Sequence, residues 1–127
     1  YGPGLITGFI RVEGRAMGLI ANDSKYLGGA IDGDGGEKGG RFLQLCDAYG
    51  VPVISLCDTP GFMVGPDSEK TAAVRRGSRL IVAGANLSVP MFTIITRKGY
   101  GLGAQAMAGG SLHHPFFSIA WPTAELG

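Results

Sequence analysis

Histidine and cysteine each occur only twice, tryptophan once, and neither sign of charge dominates. With 11 Lys plus Arg against 10 Asp plus Glu, the net charge is +1. A balance so even gives no strong field to draw the chain onto nucleic acid or an anionic membrane, so neither is expected as a partner. No apolar run approaches the roughly 18 residues of a membrane span. No charged-then-apolar leader follows Tyr1, so the sequence predicts no signal peptide. Cys46 and Cys57 are too few for a disulfide scaffold and lack metal-ligand spacing. They read as buried thiols of a cytoplasmic protein. Hydrophobic residues at 45% and charged residues at 17% argue against disorder. A length of 127 residues predicts a single domain over 1–127, with one core.

Glycine is the abundant residue, 23 of 127, where average usage would give about nine. No three-residue period runs through the chain, which excludes collagen. The glycines cluster between apolar runs, where backbone must turn sharply or approach a ligand closely. That distribution points to chemistry done by main-chain amides.

The apolar pattern predicts a hairpin from Leu5–Val12 and Met17–Ala21, with a turn at Glu13-Gly14-Arg15. A Gly- and Asp-rich loop follows from Asn22 to Gly36, then a helix over Glu37–Tyr49 that Gly50 ends. Val51–Cys57 reads as a strand buried on both faces. After a loop over Asp58–Pro66, a helix capped by Asp67 or Ser68 runs to about Ala85. Its buried face comprises Ala72, Ala73, Leu80, Ile81 and Ala83, with Arg75, Arg76 and Arg79 opposite. Met91–Thr96 is a strand, Arg97–Gly101 a loop, Leu102–Ala108 a short helix and Phe116–Trp121 a last strand. Strands alternating with helical crossovers predict an α/β fold with a mostly parallel sheet flanked by helices.

Gly99-Tyr100-Gly101-Leu102-Gly103-Ala104 satisfies the G-x-G-x-x-A pattern of dinucleotide sites, with Glu125 as the acidic partner. Gly109-Gly110 interrupts the helix too early for that fold, and Glu125 does not end an apolar strand. The physical content outlasts the motif, because a strand, a glycine loop and a helix N-terminus present free N–H groups to an anion or oxyanion. Asp58-Thr59-Pro60-Gly61-Phe62-Met63 is a second such loop after a buried strand, and the two would flank one crevice at the sheet's carboxyl edge. Asp32-Gly33-Asp34-Gly35-Gly36-Glu37 fails as a calcium loop, because Leu43 stands where a bidentate Glu is needed. His113 and His114 are adjacent and have no third ligand, so no metal is expected. No P-loop or nucleophile elbow occurs, and no side-chain acid or base stands out.

Four segments in order resemble one family: Glu37-Lys38 through Cys46-Asp47-Ala48, Asp58-Thr59-Pro60-Gly61-Phe62, Arg97-Lys98-Gly99-Tyr100-Gly101, and Ala120-Trp121-Pro122-Thr123-Ala124-Glu125. The resemblance is to the C-terminal half of the carboxyltransferase (β) subunit of biotin-dependent acyl-CoA carboxylases, of the acetyl-CoA and propionyl-CoA carboxylase type. It implies a crotonase-like ββα spiral and transfer of a carboxyl group from carboxybiotin, held on a separate carrier, to the α-carbon of an acyl-CoA. On this resemblance the amides of Leu102 and Gly103 form the oxyanion hole for the biotin ureido oxygen. Gly61, Phe62, Gly101 and Ala104 line the biotin pocket, and Gln105 bears on acyl-chain choice. The implied partners are an N-terminal carboxyltransferase half, a biotin carboxyl carrier protein and further copies in a family hexamer. The chain departs from the family pattern at Leu102, where a glycine is common, and at Gln105, where the residue is acidic or apolar. The implied product is a partial domain that does not turn over substrate alone. The alternatives are a decarboxylase of malonyl-type CoA thioesters using the same site, and a non-catalytic assembly module, which Leu102 favours.

Overall fold

A computed structural model describes residues 2–61, 70–99, 107, 117–120, 122 and 125–126. The chain opens with the expected hairpin, β1 (Leu5–Val12) and β2 (Arg15–Asn22), paired antiparallel from Leu5 opposite Asn22 to Val12 opposite Arg15. Its two-residue turn has Glu13 at φ 51° and Gly14 at φ 81°, the double positive φ that matches the twist of the flanking strands.

Helix α1 (Gly33–Ala48) begins four residues before the expected Glu37. Asp32 caps it, accepting the Gly35 N–H at 2.8 Å. Glycine disfavours a helix by about 1 kcal/mol per residue, which is why this stretch reads as loop. Packing reverses that preference here. A Cβ on Gly36 would lie 2.6 Å from Gly77 Cα, and one on Gly39 would lie 2.6 Å from a Leu5 methyl carbon. Only glycine lets α1 approach α2 (Lys70–Ala85) and the sheet so closely. Leu80 and Ala83 of α2 are buried and Ile81 packs against the core. Ala72 and Ala73, also expected on that face, lie outside the described side chains, as do the expected caps Asp67 and Ser68. Arg76 is no solvated decoration, since it pairs with both Asp34 and Glu37 of α1.

Strands β3 (Val53–Thr59), β4 (Met91–Gly99) and β5 (Phe117–Ala120) extend the sheet in parallel in the order β1-β2-β3-β4-β5. A short β6 (Glu125–Leu126), absent from the sequence reading, pairs with the end of β4. Both β3 and β4 run further than expected, into segments read as loop. On β3, Val53, Ser55, Cys57 and Thr59 are buried and the residues between them half-buried, the period of two of a strand with one face on the core. Ile20, Leu43, Cys46, Cys57, Leu80 and Met107 form the centre of that core at 0% exposure. Each large apolar side chain so buried contributes roughly 1.5–3 kcal/mol. Both cysteines are free, as expected, and burial pushes the Cys57 thiol up to about 12.

Candidate functional site at the carboxyl edge of the sheet

Strands β2, β3 and β4 are parallel, so Asn22, Thr59 and Gly99 end on one edge. That is the edge where α/β sheets place ligands. The turn after β3 is held by its own side chains. Thr59 Oγ1 accepts the Gly61 N–H at 3.1 Å, and the Gly61 carbonyl accepts the Ile31 N–H at 3.0 Å. Gly61 takes φ 134°, a conformation that favours glycine, and no described atom lies within 4 Å of where its Cβ would be.

Gly99, first residue of the second glycine motif, sits opposite Thr59 across β3 and β4. The two glycine segments thus start from paired strand positions, Thr59 and Gly99. Phe62, Gly101, Leu102, Gly103, Ala104 and Gln105 lie outside the described residues, as do His113 and His114.

Sequence reasoning missed the polar residues that tie this edge together. Asp58 donates its N–H to Asn22 Oδ1 at 2.8 Å. Its carboxylate accepts from Arg97 Nε at 3.2 Å and from the Lys98 N–H at 3.3 Å. Thr96 Oγ1 donates to the Cys57 carbonyl at 3.2 Å. Asp58 and Arg97 are some forty positions apart, so no local pattern could pair them. Among the described residues Asn22 Nδ2 and Ser55 Oγ are buried without a hydrogen-bond partner. No three metal-ligating side chains come together among the described residues, and no helix among them is long and apolar enough to cross a membrane. An open depression of about 690 Å³ lies at the other end of the sheet, lined by Met17, Pro52, Pro90 and Phe92. The candidate site is placed at the opposite edge, where the parallel strands end at Thr59 and Gly99 beside the Gly61 turn.

A mostly parallel sheet of this order, with a glycine turn at its carboxyl edge, defines the class of α/β domain that takes ligands beyond its strand ends, and comparison with known proteins narrows it. The family model described as "Carboxyl transferase domain" matches residues 1–127. The chain belongs to the carboxyl transferase domain family. It is 41% identical over 126 residues to the propionyl-CoA carboxylase beta chain of Saccharopolyspora erythraea, covering 99% of this chain and 23% of that one. It is 40% identical to a biotin-dependent long chain acyl-coenzyme A carboxylase beta4 subunit of Mycobacterium tuberculosis, covering 98% and 24%. Among solved structures, a single-chain, multi-domain long-chain acyl-CoA carboxylase superposes with a TM-score of 0.95 at 62% identity, over 100% of this chain and 13% of that chain. Transcarboxylase 12S, a hexamer solved with methylmalonyl-coenzyme A, superposes with a TM-score of 0.91 at 33% identity, over 100% and 25%. The expected crotonase-like α/β architecture is that of these carboxyltransferase domains. The chain spans about a quarter of the length of the curated relatives it matches.

Proposed function

We propose that this chain is the carboxybiotin-holding part of a biotin-dependent acyl-CoA carboxyltransferase, a partial C-terminal carboxyltransferase domain over residues 1–127. The observation that carries the reading is the pairing of Thr59 with Gly99, which starts both glycine segments from one edge of a sheet in this family's fold. In this reading the amides of Leu102 and Gly103 donate to the biotin ureido oxygen as negative charge develops there, an oxyanion-hole role. Gly61, Phe62, Gly101 and Ala104 line the pocket, and Gln105 borders the acyl chain. Carboxybiotin, when bound, supplies both the carboxyl group and the base for the substrate's α-proton. The chain's own task is to orient that ring and exclude water around it, a task suited to an edge whose turn carries no Cβ at Gly61.

The acyl-CoA is held in large part by an N-terminal half outside this sequence. The biotin arrives on a carrier protein, and the working assembly is a hexamer in the cytoplasm. The relatives' names support the acyl-CoA substrate, the dependence on biotin and the hexamer, since they are β subunits of acyl-CoA carboxylases, one of them named as biotin-dependent, and a hexameric transcarboxylase. The test is Gly103→Pro in the full-length protein, which removes one N–H donor. Carboxyl transfer falls by at least about a hundredfold, the loss typical of one missing oxyanion donor, while acyl-CoA binding stays within twofold. Transfer at the unaltered rate would exclude the amide assignment and leave the assembly-module reading standing.

A further inference from the structure

Between the pairs Cys57–Ile95 and Thr59–Gly99, β3 supplies one residue, Asp58, and β4 supplies three, Thr96, Arg97 and Lys98. This is a bulge with two extra residues, and bulges re-aim the chain beyond them. On the β3 side the fastenings of the bulge run through or beside Asp58, while β6 pairs with Lys98 and Gly99 from the other side. Its carboxylate takes the Lys98 N–H and the Arg97 guanidinium, while the flanking Cys57 carbonyl accepts from Thr96 Oγ1 at 3.2 Å. The backbone of Asp58 is clamped from the other side as well. Asn22 of β2 holds its N–H, and Gly29, at φ +93°, packs so tightly on its carbonyl that a Cβ there would overlap the Asp58 oxygen at 2.2 Å.

Without the bulge, Arg97 would stand opposite Thr59. Gly99 would then lie two residues further on, about 6.6 Å along the strand. We propose that Asp58 is a positioning residue of the carboxyltransferase site: by pinning this bulge it sets where the Gly99 segment starts relative to the Gly61 turn. The inference rests on the amide reading given above, and its test separates the two. Arg97 is 56% exposed in this pair, and exposed ion pairs contribute little. The bond that fixes register is therefore the one from the Lys98 N–H to the carboxylate.

The experiment compares Asp58→Ala, Asp58→Asn, Arg97→Met and Gly103→Pro in the full-length protein, measuring kcat, the KM for acyl-CoA and the thermal midpoint of each. Asp58→Ala lowers kcat about tenfold to a hundredfold, the scale of an ångström of misplacement, with KM for acyl-CoA within twofold. Asp58→Asn, which keeps an acceptor for the Lys98 N–H, recovers at least half of the lost log kcat, and Arg97→Met costs less than threefold. An inactive Gly103→Pro beside an Asp58→Ala of unaltered kcat overturns the positioning role alone. Asp58→Asn no better than Asp58→Ala at equal thermal midpoint also overturns it. An active Gly103→Pro overturns the amide reading beneath it.

Discussion

Replacing Gly36 by alanine puts a methyl carbon 2.6 Å from Gly77 Cα and 3.1 Å from the Gly77 carbonyl oxygen. Both obstacles are backbone, so no rotamer change relieves them. Reaching ordinary contact at 3.4 Å requires the two helices to part by about 0.8 Å at this point. The same separation strains the ion pairs from Arg76 to Asp34 and Glu37 and loosens Gly39 against Leu5 and Leu80. Overpacking of this kind costs about 1–3 kcal/mol, and a backbone obstacle places it toward the upper end. Alanine returns about 1 kcal/mol of helix propensity. The net expectation is a loss of about 1–2 kcal/mol. Gly33→Ala is the internal control, because there the neighbours at 3.3–3.5 Å are atoms of the flexible Arg76 side chain. It should be neutral or slightly stabilising. Urea denaturation of both variants reads the difference as a lower midpoint for Gly36→Ala at unchanged slope. A Gly36→Ala protein as stable as the unaltered one would refute the claim that close helix approach is what keeps glycine there.

Further outcomes follow from the core and from the link between α1 and the connection that leads into β4. Burial pushes the Cys57 thiol up from 9.0 to about 12 and raises Cys46 in the same direction. A folded pKa above the unfolded one means that the unfolded state loses its proton first, so the Cys57 contribution is intact below pH 9 and is lost as pH rises toward 12. Neither thiol should react with a maleimide at pH 8 until denaturant is added; rapid native labelling of Cys57 would contradict its burial. Asp47 Oδ1 accepts the Ser88 and Val89 N–H groups at 2.8 and 3.2 Å. Asp47→Ala should therefore cost about 1–2 kcal/mol in thermal or urea unfolding, with Asp47→Asn recovering most of it; equal stability of all three proteins would refute that role.

The order ββαβαβ was legible because apolar residues mark β1 through β4 and the second turn onward of α1; the two-residue β6 carries no such signal. What misled was residue type at element ends. Gly33, Gly35 and Gly36 read as loop from local propensity, yet they form the first turn of α1, and Gly36 admits the backbone of Gly77 in a helix some forty positions later. Asp58, Arg97 and Lys98 read as loop because they are polar, yet they continue β3 and β4 by bonding one another. Gly61 was legible as a turn residue from its neighbours Thr59 and Pro60. The clamp beneath it was not, because Asn22, Gly29 and Asp58 meet only once β2 and β3 have paired.

The strands lie in space in the order in which they occur in the chain, from β1 through β5. Through β5 each new strand finds its partner at the free edge of the one before, so none of these need wait for a distant later one before it can pair. Such a sheet can grow in one direction as the chain leaves the ribosome, with loop closures no longer than one helical crossover. The Asp58 bulge is then set late, when β4 arrives, and the edge that carries the candidate site is assembled only after its scaffold has already condensed.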